Sequence, residues 1–258
     1  MGTAIASYYD LYNNRNIPNG FLYAFLALSI LTSLFFFEMD LFIFSLIIAA
    51  FIALFGFVFY YTGQLGGADV FVMLSIAFLL PIHPGYLNML FNLPFILSAF
   101  IFAIVIFSLY TIVYFGLKLV KTKAKPDKRY LLLFIPYVVF IYLYSTMPFF
   151  SPFYLILISI ALFSSIFFLC FRNSINRMLA KKLPLAKVEP EDVLALELMD
   201  KKTVWKYKLQ RVMNKKELQR MKKLKIKQVW VFSNLPPFLP FLFVGLVLAL
   251  LFSNMILG

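Results

Sequence analysis

The hydrophobic positions of this chain fall in long uncharged runs, and its polar residues collect in the short gaps between them. A membrane span needs roughly 20 apolar residues, so runs of this length predict helices that cross a bilayer. Gly20–Phe37 is the first complete run, and the acidic link Glu38-Met39-Asp40 separates it from Leu41–Tyr61. A polar break, Thr62-Gly63-Gln64-Leu65-Gly66-Gly67-Ala68-Asp69, precedes a shorter run, Val70–Pro81. That run stops at Ile82-His83-Pro84-Gly85, a turn by its Pro and Gly. Leu93–Leu117 predicts another span, Tyr130–Thr146 and Pro152–Phe171 a hairpin around Met147–Ser151, and Val229–Gly258 the last span. The expected fold is an all-α polytopic membrane protein with about seven complete transmembrane helices and an N-terminal helix stub carrying Asp10. A membrane-embedded part would cover residues 1–171, a small basic domain 172–228, and a C-terminal transmembrane helix 229–258.

Composition supports that class. The 258 residues are 63% hydrophobic and 14% charged, whereas soluble domains run near 45–50% apolar and about 25% charged. A net charge of +13 would suggest nucleic acid in a soluble protein. Here six Lys/Arg lie in Lys118–Arg129 and seventeen in Arg172–Gln228, together 23 of the chain's 24. Charge so confined is a topology signal, and no nucleic-acid partner is expected. The positive-inside rule places both segments in the cytoplasm, and the hairpin between them crosses twice and returns to that side. Counting back, Ile82–Asn92 lies outside, Gly63–Asp69 inside, Glu38 and Asp40 outside, and Asp10–Gly20 inside. The reading is a multi-pass cell-membrane protein with cytoplasmic basic loops.

Within the basic stretch, Asn214-Lys215-Lys216-Glu217 reads as a capping box opening a helix through about Lys225. Its basic face reads as a solvated surface that anchors to anionic lipid, with a substrate-binding role as the alternative. Trp230, just inside the last apolar run, reads as an interfacial anchor, and Pro236-Pro237 with Pro240 should loosen that run's first turns. Cys170 is the single cysteine, which excludes an internal disulfide and a Cys-based zinc site; within a span it is a small hydrophobe. His83 is the only histidine and falls on the outer side as a turn residue. No Gly-rich nucleotide loop or His/carboxylate cluster is present in the sequence, so neither a metal nor an organic cofactor is expected.

Two carboxylates stand out. Asp69 is the only charged residue between Leu41 and Leu117, and a charge at a span's end is costly and functional by default. Its structural alternative is a helix N-cap; Gly66-Gly67 before it favours function, because glycines let another backbone approach. Asp10 falls on the same membrane face, with an interfacial pairing to Arg15 as its structural alternative. Two carboxylates that meet share one proton, since like charges a few Å apart cannot both ionise. One then activates water while its protonated partner polarises a carbonyl.

Asp10 followed by Arg15-Asn16-Ile17-Pro18-Asn19, and then Gly66-Gly67-Ala68-Asp69, resembles the type IV prepilin peptidase family, in particular its archaeal preflagellin and prepilin peptidases. These are GxGD-type intramembrane aspartic peptidases, distant relatives of presenilin. Trp230-Val231, Leu235–Pro240 and the Asn214–Leu224 helix also resemble the archaeal members. The resemblance implies catalytic Asp10 and Asp69. It also implies cytoplasmic-side cleavage of class III-type signal peptides from pilin-like and archaellin precursors. Gly66 and Gly67 would offer backbone for strand-like pairing with the extended substrate. Bacterial members N-methylate the product and carry a Cys-rich zinc domain; no such domain occurs here, so peptidase activity alone is expected.

There are departures. Ala68 replaces the third motif glycine, Tyr12 stands where a basic residue is usual, and the Ile-Pro-Asn element lies one residue late. Met1–Tyr9 is also shorter than the span that normally precedes the first Asp, which implies either a truncated first helix or a true start upstream of Met1. Residues 130–171 read as an extra hairpin. Rival readings are a transporter or channel with Asp69 as its ion site, and a non-catalytic scaffold of the same fold. The sequence is silent on oligomeric state.

Overall fold

The structure, a computed structural model, describes residues 1–13, 16–62, 65–83, 94–148, 150–189, 192–224, 226, 228–233 and 236–252. Helices dominate it. The part before the basic segment contains α1 (Gly2–Tyr12), α2 (Asn19–Phe35), α3 (Met39–Tyr61), α4 (Gly67–Leu79) and α5 (Phe95–Lys121). It continues through α6 (Lys128–Leu131), α7 (Phe134–Ser145) and α8 (Pro152–Cys170). The basic segment adds α9 (Arg172–Leu179), α10 (Lys201–Tyr207) and α11 (Lys215–Lys223) with strands β1 (Ala180–Pro184) and β2 (Gln228–Phe232), and α12 (Leu239–Phe252) follows. Among the described residues, four helical stretches are long and apolar enough to cross a membrane: α3, α5, α6–α7 and α8. Three expected spans are shorter, with 17 residues in α2, 13 in α4 and 14 in α12.

The side chains are distributed as lipid solvent demands. On α3 the large residues Ile47, Phe51, Leu54 and Phe57 point outward, while Ser45, Ala49 and Gly56 are buried. Helices α5 and α12 also turn small residues inward, Ala99, Ala103, Gly245 and Ala249, beside the buried Phe95, Phe115, Leu239 and Leu242. Between apolar helices in lipid, small residues allow backbones to approach, and dispersion rather than water exclusion holds them together. Buried hydroxyls are satisfied within their own helices: Ser29 donates to the Phe25 carbonyl at 2.7 Å, Ser45 to Leu41 at 2.8 Å and Ser75 to Phe71 at 2.9 Å. No backbone group is diverted from its helix to do this.

Helix α5 is the central post. It packs against α12, α8 and α4; α4 also packs on α2 and α3, and α1 lies on α12. At Gly245, an added Cβ would overlap the Ala99 carbonyl oxygen and stand 2.6 Å from the Ala103 nitrogen, so α12 lies backbone against backbone on α5. Gly56 receives Val70 of α4 in the same way, its virtual Cβ falling 2.7 Å from a Val70 methyl. The expected hairpin is present: α7 and α8 pack together, and α7 has no buried residue.

The basic segment is a small domain with its own apolar core of Leu185, Val188, Leu194, Leu209, Met213, Met221, Val229 and Val231. The N-cap half of the box expected at Asn214 is present, its Oδ1 accepting the Glu217 N–H at 2.7 Å. The Glu217 carboxylate instead takes Arg220 at 3.4 Å and the Gln210 N–H at 3.5 Å, and the helix ends at Lys223. β1 and β2 pair antiparallel, with Lys182 opposite Trp230. Residues 229–232 therefore belong to a strand, and α12 starts at Leu239, ten residues later than its apolar run predicts. Val229 and Val231 alternate inward, a period-2 pattern that the adjoining apolar helix conceals. Trp230 is accordingly a strand residue rather than an anchor inside the last span. Pro236 and Pro237 lie ahead of the helix and delimit it, and Pro240 sits in its first turn, where no backbone N–H is required.

The α5–α12 contact predicts a steep cost for bulk. Gly245→Leu should lower the thermal unfolding midpoint in detergent, as an overpacking penalty of about 1–3 kcal/mol implies. Gly116→Ala, on the same post but with nothing within 4 Å of the new Cβ, should leave that midpoint unchanged or raise it.

Candidate active site

Asp69 is placed by the start of α4. The chain leaves the Gly-rich break extended, with Gly66 as N-cap at φ −76°, ψ 150°. Asp69 is the third helical residue, not the N-cap that its position suggests. Its Oδ2 reaches back and accepts the Gly66 N–H at 2.9 Å. This is half of a capping box, since Gly66 has no side chain to return the bond. The carboxylate thus sits at the N-terminal end of α4 and takes a backbone N–H there.

The two glycines serve different ends. Neither Gly66 nor Gly67 occupies a left-handed conformation. A Cβ on Gly66 would stand 3.2 Å from Asp69 Oδ2 and 3.8 Å from its Cγ, so glycine there leaves the carboxylate its place. A Cβ on Gly67 would meet the Tyr60 ring at an ordinary 3.7 Å. Gly66 is exposed and Gly67 half-buried.

Asp10 is placed by two helices. Thr3, Ala6, Ser7 and Asp10 recur at three- and four-residue steps and are the buried face of α1. That face lies on the first turn of α12. Ser7 Oγ donates to the Leu239 carbonyl at 3.0 Å and to the Thr3 carbonyl at 2.8 Å. The Leu239 N–H donates to Asp10 Oδ2 at 3.2 Å. Leu239 is the first residue of α12, so its N–H is one of the four donors that a helix leaves without an internal acceptor. Asp10 therefore caps a helix 229 residues away in sequence. It is only 9% exposed. Its proposed partner Arg15 lies outside the described residues.

Helix α5 serves as a ruler for depth. At one end the Phe95 N–H donates to the Pro81 carbonyl at 3.1 Å, joining the start of α5 to the end of α4. From Leu79 back to Asp69 is ten residues, about 15 Å at the helical rise, which corresponds to the level of Val105 on α5. Helix α12 runs antiparallel to α5, with Gly245 between Ala99 and Ala103. Six residues earlier, about 9 Å, Leu239 reaches the level of Phe107. The Phe107 ring indeed meets Phe238 at 5.7 Å and Phe241 at 5.3 Å. Counted along α5 as straight, parallel helices, the start of α4 that carries Asp69 and the Leu239 amide that Asp10 accepts both fall near Val105–Phe107.

That level is near the end of the bundle that carries the basic domain. Val70 touches Gly56, which lies five residues before the end of α3, so Asp69 is about 7 Å inside it. Leu239 in turn lies seven residues beyond the end of β2. The two aspartate helices do not run along one another: α1 lies chiefly on α12, and α4 on α2 and α3. Both feed one apolar core, to which α1 gives Ala6 and Tyr9 and α4 gives Ala68, Val72 and Met73, around Ile96, Ala99 and Ala103 of α5.

Sequence reasoning missed Ser7 and the Leu239 amide. Ser7 carries a faint signal, a polar residue one turn before Asp10 on the same face; Leu239 carries none of its own. His83 meets Phe95 at 5.5 Å between ring centroids, at the opposite end of α4 from Asp69. Among the described residues, no group of three or more His, Cys, Asp or Glu side chains is placed to hold a metal ion. No protein-family model, no curated protein and no solved structure matches the chain.

The capping geometry separates two substitutions. Asp10→Ala leaves the Leu239 N–H without its acceptor and should cost about 1–2 kcal/mol, with faster hydrogen exchange at the α12 start; Asp10→Asn keeps an acceptor oxygen and should cost less.

Proposed function

We propose that this chain is a membrane aspartic endopeptidase. It removes the short basic leader from pilin-like or archaellin precursors, with Asp10 and Asp69 acting jointly on the scissile peptide. One feature supports the reading: two carboxylates 59 residues apart in sequence each accept a backbone N–H at the start of a helix that packs on α5. The motif resemblance around them supplies the reaction class. In this reading α2, α4 and α12 count as crossing helices with the four longer ones, and the basic domain lies in the cytoplasm. The protein then resides in the cell membrane with its carboxylates at the cytoplasmic boundary. A leader–helix precursor presents its cleavage point at that depth, because the basic leader stays in water and the apolar helix enters lipid.

The chemistry follows from the pair. With one proton between them, the ionised carboxylate takes a proton from water while the protonated one donates to the peptide carbonyl. Hydroxide adds to the carbonyl carbon, giving a tetrahedral intermediate. The proton taken from water then passes to the amide nitrogen, the C–N bond breaks, and the products are a new carboxyl terminus and an amine. The substrate must be extended at the cut. The Gly66 N–H is held by Asp69, so pairing with an extended segment falls to Gly67, whose N–H is one of the four that the first turn of α4 leaves without an internal acceptor.

The test is cleavage of a purified leader-bearing precursor in liposomes. Asp10→Asn and Asp69→Asn should each slow the reaction by about 100-fold or more. Asp40→Asn, at the start of α3, should not. Undiminished cleavage by either of the first two variants would sink the reading.

A further inference from the structure

Trp205 is 85% exposed on α10, in a domain that otherwise encloses its large apolar side chains. Its setting is ordered by the helix. Val204 and Tyr207 pack on the domain core, which turns Lys202, Trp205 and Lys206 outward together at i, i+3 and i+4. Lys208 follows at the helix end, also exposed. Asp200 anchors the helix start, its Oδ2 accepting from both the Thr203 N–H at 3.2 Å and the Thr203 hydroxyl at 3.0 Å. The result is one indole among three ammonium groups. An indole presented to water gains nothing, whereas at a lipid headgroup layer its ring and N–H are both accommodated.

The position of α10 says which surface it meets. Arg172, directly after the apolar run of α8, approaches Glu197 at 3.9 Å. Glu197 belongs to the single turn Leu196–Leu198, which packs on α10, and the same carboxylate oxygen is held by Arg211 at 2.6 Å. From Glu197 to Trp205 the chain spans less than about 20 Å, three extended residues and then helix. The domain is also joined to α12 through β2, so α10 is tethered close to the ends of two apolar helices, α8 and α12. Its 17 Lys/Arg against six Asp/Glu over residues 172–228 complement an anionic leaflet.

We propose that α10 is a lipid-docking element: Trp205 enters the headgroup layer of an anionic membrane while Lys202, Lys206 and Lys208 engage lipid phosphates and carboxylates. This holds the basic domain against the bilayer and does not depend on the peptidase reading. The exposure of Trp205 makes its substitution harmless to the fold, so function and folding separate cleanly.

The experiment uses the full chain carrying Trp230→Phe, which leaves Trp205 as the sole tryptophan, reconstituted in liposomes with brominated acyl chains. In vesicles containing phosphatidylserine, Trp205 emission should shift to the blue and be quenched roughly twofold more than in phosphatidylcholine alone. Raising salt from about 0.1 to about 1 M, which shortens the Debye length from about 10 to about 3 Å, should remove the difference. Combined Lys202→Glu, Lys206→Glu and Lys208→Glu should abolish it at low salt. Equal quenching in both lipids, or none in either, overturns the proposal. So does emission that responds only to added polyglutamate, which would mark the face as a site for an acidic protein.

Discussion

The close approach of α12 to α5 is the constraint on which the candidate site rests. Because Gly245 has no side chain, its backbone reaches that of Ala99 and Ala103, and α12 is fixed in height along the central post. Its first residue, Leu239, then falls where Asp10 can accept its N–H. The level of Asp69 is set separately, by the seating of Val70 against Gly56 and by the Pro81–Phe95 hydrogen bond at the other end of α4. Two independent packing contacts, each needing a glycine, set the heights of helices that hold carboxylates from distant parts of the chain. Neither contact involves a charged group. The geometry of the polar site is decided by small apolar residues that carry no chemical signal.

This explains what could be read from residues alone. Span-like helices follow from uncharged runs, because in hydrocarbon every backbone polar group must be satisfied internally and a helix does this without partners. Asp69 was conspicuous for the same reason, as a lone charge between Leu41 and Leu117. The capping role of Asn214 is equally local, decided within one turn of helix. What stayed hidden was relational. Asp10 was read against its neighbour Arg15, yet the contact that positions it comes from the far end of the chain. The strand at Gln228–Phe232 was hidden by continuity: five residues of β-structure run through a short Pro-rich linker into an apolar helix, and composition alone does not change between them.

The small domain clarifies how the charge is used. Seventeen cations in residues 172–228 read from sequence as a flat topology signal. In the structure the fold sorts them. Arg172 and Arg211 are spent on Glu197, and Arg220 pairs with the buried Glu217 at 3.4 Å. Lysines supply much of the remaining exposed charge, as suits a surface that meets water and lipid headgroups rather than a single fixed anion. A point charge on a flexible stem adapts to mobile counterparts, whereas the planar guanidinium is used here where the partner is another part of the protein.

The bond between Asp10 and Leu239 also has a consequence in time. Asp10 is synthesised 229 residues before its backbone donor. Until α12 inserts, α1 has neither its main packing surface nor the Leu239 amide, and the α12 start lacks the Asp10 acceptor. The candidate site is therefore complete only after α12 has joined the bundle. A ribosome-bound chain or one lacking α12 holds both aspartates, yet has only one of them in place.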